Sequence, residues 1–220
     1  MSPPRDIAAF RNRHAGADIY VIGSGASMDY HDPEFFRGRL TIGINTVFRH
    51  FPCLWTIAKE LTAEQLAESA AAGAVPVVSR HPYGNLTYPP AAYDIDALWY
   101  AFEHQTNRHT GIDWTVLNTD KLIVSYSTVT SAIHFAAHLG ARNIFLAGCD
   151  AGILDGRINF KAYNANEPTE ADLKFYRGFL RDMAPQTPIL RDRLRLAYGC
   201  RIYTLSPFVN LAHEGKHFEQ

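Results

Sequence analysis

Three short segments of this chain carry residues that can do chemistry, and each follows an apolar run. The first is Ile19-Tyr20-Val21-Ile22-Gly23-Ser24-Gly25-Ala26-Ser27. Glycines at such a turn let the backbone approach a phosphate, whose charge is met by main-chain N–H groups. A phosphate site at Gly23, Ser24 and Gly25 is one reading, and a structural tight turn is the other. The NAD fingerprint fits less well. Met28 stands where its third glycine would fall, and the next apolar run ends at Asn45 rather than at an acidic residue. The second segment, Ser125-Tyr126-Ser127-Thr128-Val129-Thr130-Ser131, joins an apolar run to a helical pattern. A helix N-terminus offers free N–H groups and partial positive charge, so Ser127 and Thr128 can cap the helix, receive an anion, or both. The third, Ile144-Phe145-Leu146-Ala147-Gly148-Cys149-Asp150, puts a carboxylate just past an apolar run. Asp150 can act as a base, orient a ligand hydroxyl, hold Mg²⁺, or cap its own loop.

Other candidates are more scattered. Lys59-Glu60 and Arg80-His81 follow apolar runs, and Asp155, Lys161 and Tyr163 lie in an irregular stretch. Arg80, Lys59 and Lys161 are the cations that can stabilise a departing phosphate without a metal. His213-Glu214-Gly215-Lys216-His217 matches H-E-x-x-H, but Gly215 weakens the helix that zinc ligation needs, so no metal site is expected. His134 and His138, four apart on one helical pattern, read as a packed or exposed pair. Cys53, Cys149 and Cys200 have no paired spacing and read as small buried apolar residues in a reducing compartment.

The elements that must position these residues follow from hydrophobic patterning. About seven runs read as strands: Ile19–Ile22, Leu40–Asn45, Leu54–Ala58, Ala74–Ser79, Leu122–Tyr126, Asn143–Gly148 and Arg201–Leu205. Most are continuously apolar, as expected of parallel strands covered on both faces. Helices are expected from the capping box Thr62-Ala63-Glu64-Gln65 to about Ala72, over Thr128–Leu139 before Gly140, from Thr169 to about Met183, and from Pro188 to Tyr198. Alternating strands and helices predict one α/β domain over residues 1–220, a doubly wound, mostly parallel, Rossmann-like sheet. Two stretches break the rhythm. Residues 81–118, with Tyr83, Tyr88, Tyr93, Trp99 and Tyr100, read as a lid, and residues 150–168 as a second binding loop.

At 220 residues the chain is long enough for a core without disulfides, and its net charge of −1 supplies no pull toward nucleic acid or an acidic membrane. No apolar run approaches a membrane span and no secretory leader is evident, so a cytoplasmic protein is expected.

Taken in order, I-G-S-G-A-S after the first strand, T-I-G-I-N on the second, S-T-V-T-S-A-I-H-F-A-A-H-L-G-A-R-N-I-F-L-A-G-C-D and the closing R-I-Y-T-L-S-P-F-V-N resemble one superfamily. It contains the bacterial sialyltransferases of glycosyltransferase family 42 and the archaeal hydroxymethylpterin diphosphokinase-like proteins. The resemblance covers roughly residues 18–60 and 121–210. It implies that Gly23, Ser24, Gly25, Asn45, Ser127 and Thr128 hold the nucleotide part of a donor. The sialyltransferases place tyrosines after the G-x-D strand, where this chain has Ala151, Gly152 and, later, Asn159. They also use a histidine before the last strand, and this chain has none between Gly140 and Leu211. The expected function is therefore a transferase using a nucleotide-activated donor, most readily a glycosyltransferase, with Asp150, Lys161 and Arg80 as catalytic candidates. The partners implied are a nucleotide or nucleotide sugar and a small-molecule or glycan acceptor, and an oligomer is compatible with this. A Mg²⁺-dependent diphosphokinase is the alternative, with Asp150 as the metal ligand, and a non-catalytic nucleotide-binding module is the third reading.

Overall fold

A computed structural model describes residues 5–79, 100–106, 114–124, 127–150, 152–183 and 186–205. Among the described residues nine strands pair into a single sheet, each strand-to-strand pairing being parallel. They are β1 (Arg5–Asp6), β2 (Asp18–Ile22), β3 (Leu40–Ile44), β4 (Trp55–Ala58), β5 (Val75–Ser79), β6 (Tyr100–Thr106), β7 (Lys121–Val124), β8 (Asn143–Ala147) and β9 (Arg201–Thr204). The order is β1-β6-β5-β4-β3-β2-β8-β9, and β7 pairs with the far half of β6. The α/β doubly wound fold is therefore present, with two strands that the sequence pattern did not single out. One of them, β6, lies inside the stretch 81–118 that reads as an irregular lid. Its sequence, Tyr-Ala-Phe-Glu-His-Gln-Thr, is too polar to stand out as a buried run, and pairing with β5 and β7 makes it a strand.

The continuous apolar runs arise because both faces of the sheet are covered. Along β2, Ile19 and Val21 enter one core cluster, while Tyr20 and Ile22 enter the other. The first face packs against α2 (Thr128–His138), which touches β2, β3, β4, β7 and β8, and against α4 (Gln186–Tyr198). The second is covered by short 3₁₀ turns and by Phe160 of the second loop. Helix α1 (Ala63–Ala71) opens with the expected capping box between Thr62 and Gln65. Helix α3 (Glu170–Met183) starts where Thr169 and Asp172 bond to each other, and leans on α4.

The histidines four apart on α2 are packed. His134 accepts from Ile123 N–H through Nδ1 at 2.9 Å, so its ring proton sits on Nε2, 2.9 Å from the Tyr198 hydroxyl. Nε2 of His138 lies 3.0 Å from Ile7 O. Burial, with His138 and Arg11 nearby, pushes His134 down to about 3, so it stays neutral. Tyr100 is core as well, its ring 4.2 Å from that of Phe10. The other aromatics of the expected lid, and the H-E-x-x-H stretch, lie outside the described residues.

Candidate nucleotide site at the carboxyl ends of the strands

Strand β2 has β3, the next strand in sequence, on one side and β8, which arrives after a long crossover, on the other. At such a switch point the connections diverge and leave a crevice beyond the strand ends, the usual ligand site of open α/β sheets. A cleft of about 180 Å³ lies there, lined by Gly23, Ser24, Gly25, Asn45, Ser127, Thr128 and Asp150 among others. Every residue assigned to nucleotide binding from the sequence is thus brought to one cleft, and Asp150 with them. Strand β2 supplies the glycine turn, β3 supplies Asn45, the N-terminus of α2 supplies Ser127 and Thr128, and β8 leads into Asp150.

The glycine turn is held from beneath by the chain leaving β8. Gly23 N donates to Ala147 O at 2.8 Å, and Gly25 N donates to Gly148 O at 2.7 Å. A Cβ on Gly25 would run into the Asp150 carboxylate and lie 2.6 Å from Gly148 O. Its φ of −61° is ordinary, so glycine is needed there for room rather than for conformation. At Gly148 both demands apply, since φ is +60° and a Cβ would meet the Met28 side chain. The two chain segments therefore close on each other at glycine contact, which is the structural tight-turn reading that the sequence offered beside the phosphate one.

Asp150 occupies the space so created. It is 3% exposed, accepts from Ser27 N at 2.8 Å, and accepts from the Ser27 hydroxyl in a short hydrogen bond. Burial raises its carboxyl above the ordinary value, while the Ser27 bonds and nearby His31 oppose the shift. Burial in turn lowers His31 against the pull of Asp150, and its buried Nε2 has no hydrogen-bond partner among the described residues. A carboxylate offers about four acceptor positions, of which Ser27 takes two.

The Asn45 amide and the Thr128 hydroxyl make no hydrogen bond to any described residue. Asn45 also adopts a left-handed backbone, φ +54°, which Asn tolerates better than other non-glycine residues. Its carbonyl accepts from Thr56 Oγ1 at 2.6 Å, which fixes the corner where β3 ends. Ser127 caps α2 by accepting from Val129 N at 3.1 Å, so its side chain serves the helix.

The loop after Asp150 forms the outer rim. Leu154-Asp155-Gly156-Arg157 makes a tight hairpin with left-handed backbone at Asp155 and Gly156. Asn159 then bridges to Gly25 and accepts from Ser24 Oγ at 2.9 Å, while Phe160 turns into the core. This alternation carries Lys161 away. Its N–H bonds the Asp29 carboxylate at 3.0 Å, and it lines a separate hollow of about 480 Å³ with Asp29, Asp155 and Arg157. Lys161 is therefore not brought to the cleft, Lys59 is buried at the end of β4 without lining it, and Arg80 lies outside the described residues. Cys149 does line the cleft, and burial pushes its thiol up, which favours the protonated form.

The sequence reading missed two contributors. Asn159 belongs to the rim, and Tyr176, Phe179 and Leu180 of α3 form an apolar wall. The spacing of Leu173, Tyr176, Leu180 and Met183 marks that helix face, but the partner it would face was not legible. No protein-family model matches the chain, and comparison with curated proteins finds no match. No helix among the described residues is long and apolar enough to cross a membrane.

Proposed function

We propose that this chain is a transferase that holds a nucleotide-activated donor in the cleft at the ends of β2, β3 and β8, most readily a glycosyltransferase. The observation that carries the reading is convergence. Residues spread over more than a hundred positions of the chain, Gly23–Gly25, Asn45, Thr128 and Asp150, meet in one crevice at the switch point of the sheet. Gly23 N–H and Gly25 N–H are bonded to Ala147 O and Gly148 O, so phosphate oxygens would meet the Ser24 N–H of the turn and the start of α2, while the Asn45 amide and the Thr128 hydroxyl, unengaged among the described residues, face the nucleoside. The resemblance of these segments to the sialyltransferase superfamily supports the same assignment.

In such a transfer the acceptor hydroxyl oxygen bonds to the anomeric carbon. The bond from that carbon to the phosphate oxygen breaks, and the nucleotide leaves with the electron pair. The hydroxyl proton goes to a base, and Asp150 is the one carboxylate among the described lining residues. Its raised pKa and two remaining acceptor positions suit it to that task.

A thermal-shift screen with CMP, UDP, GDP, ATP and their sugar conjugates, with and without Mg²⁺, tests the reading. A ligand at a hundredfold its Kd stabilises by about 2.7 kcal/mol. The expected result is stabilisation by one nucleotide, reduced to about half in Asn45→Gly at the same ligand concentration, and turnover of its sugar conjugate that falls about 10²–10⁴-fold in Asp150→Asn. Absence of any nucleotide effect refutes the proposal. A second reading, a nucleotide-binding module without catalysis, is favoured by the confinement of Asp150 against Ser27. It is selected if nucleotide binds and no donor is turned over.

A further inference from the structure

The cleft is lined by two unlike sets of groups. One is the glycine turn with the Asn45 amide and the Thr128 hydroxyl. The other is Tyr176, Phe179 and Leu180, which recur at i, i+3 and i+4 and so share one face of α3. The Tyr176 and Phe179 rings lie nearly parallel, 18° apart, with centroids 6.3 Å from each other. Both are half-buried and line the cleft rather than entering either core cluster. An aromatic face held at the side of a cavity is a surface for another flat ring, because offset stacking and removal of apolar area from water both favour it. Hydrogen-bonding groups in the same cleft suit a ring that has polar atoms at its edge. A sugar ring presents only C–H groups to such a face and has no π-system to stack. An alkyl chain has neither a π-system nor polar edge atoms.

Resting on the nucleotide reading above, we propose that Phe179, backed by Tyr176, is the stacking surface for the base, so that the cleft selects ligands bearing a flat heteroaromatic ring over sugar phosphates without one. Helix α3 is then a specificity-determining element rather than a cover. The polar groups bind what all such ligands share, and the α3 face decides which of them stay bound.

Titration calorimetry on the full chain with CMP, UMP, AMP, GMP and ribose 5-phosphate tests this. The wild type is expected to bind at least one mononucleotide at least tenfold more tightly than ribose 5-phosphate. Phe179→Leu keeps apolar volume in the helix face but removes the ring. It is expected to weaken that mononucleotide about 5- to 100-fold, the range of base–aromatic stacking, and to leave ribose 5-phosphate unchanged. Tyr176→Ala should act in the same direction, and Tyr176→Phe should bind as the wild type does. Circular dichroism melts on each variant confirm that the helix face still packs. The inference is overturned if Phe179→Leu and Tyr176→Ala, both folded, bind the mononucleotide as tightly as the wild type. Equal binding of ribose 5-phosphate and the mononucleotides by the wild type overturns it as well. Failure of the wild type to bind any mononucleotide refutes the nucleotide reading itself and takes this inference with it, a result distinct from ring-independent binding.

Discussion

Replacing Asp150 separates the structural from the chemical work of its carboxylate. Asp150→Ala removes the acceptor of the Ser27 N–H and Oγ–H bonds, and Ser27 is completely buried, so water does not reach the stranded N–H. An unsatisfied buried donor costs about 1–3 kcal/mol, and the lost hydroxyl bond and small void bring the expected loss to about 2–4 kcal/mol. For a chain of this length that lowers Tm by about 5–15 °C, at about 2–4 °C per kcal/mol. Asp150→Asn differs. Its carbonyl can accept from the Ser27 N–H, and its amide can donate to the Ser27 hydroxyl, which then serves as acceptor. The charge matters with the opposite sign. Burial raises the Asp150 carboxyl, so the folded state binds that proton more tightly than the unfolded chain does. Stability from this group is complete below the unfolded value near 3.8 and falls as pH rises through the folded value. An asparagine never ionises and escapes that loss. At pH 7 Asp150→Asn is therefore expected to match or exceed the wild type, and its advantage should vanish near pH 4. Urea unfolding of the three proteins at pH 4 and 7 measures this. Equal destabilisation by Asn and Ala at pH 7 would mean that the negative charge itself is what Ser27 requires, and would refute the reasoning.

Three further outcomes follow from the geometry. Between pH 6.5 and 3 the unfolded chain binds a proton that folded His134 refuses, so stability should fall on acidification, by up to about 2 kcal/mol at pH 5 from about 1.4 kcal/mol per unit. His138, lowered by its own burial, adds in the same direction, and urea midpoints at pH 7.5 and 5 should differ less in His134→Gln. Asn45→Gly keeps the left-handed corner and removes the amide, so nucleotide affinity should drop about tenfold with little change in Tm, whereas Asn45→Ala should also lose about 1 kcal/mol of stability in the same melts. Gly25→Ala should cost about 1–3 kcal/mol by overpacking against Asp150 and Gly148, and part of that should return in the double variant Gly25→Ala/Asp150→Ala, as a double-mutant cycle in urea will show.

What the sequence by itself determined is the local and periodic part. Continuous apolar runs such as Ile19–Ile22 and Asn143–Gly148 announced strands buried on both faces. Thr62 with Gln65, and Gly140 after α2, marked helix ends through bonds that reach only a few residues. The glycine turn, Ser127, Thr128 and Asp150 were legible as candidate site residues because a parallel sheet places all its carboxyl strand ends at one edge, so residues that follow strands become neighbours wherever they fall in the chain, and the family resemblance added Asn45 to them. Strand β6 was not legible, since Glu103, His104 and Gln105 carry no buried-strand signal and only pairing with β5 and β7 makes them a strand. Nor was the division of labour within the site. Lys161 and Asn159 lie two residues apart in one polar loop, and the sequence reading chose Lys161 and passed over Asn159. The hairpin at Asp155-Gly156 and the bridge from Asn159 to Gly25 send one into the cleft and the other out to Asp29. The bond from Asp150 to Ser27 and the turning of the α3 face into the cleft were likewise decided by tertiary packing, because each depends on where a segment more than twenty residues away comes to rest.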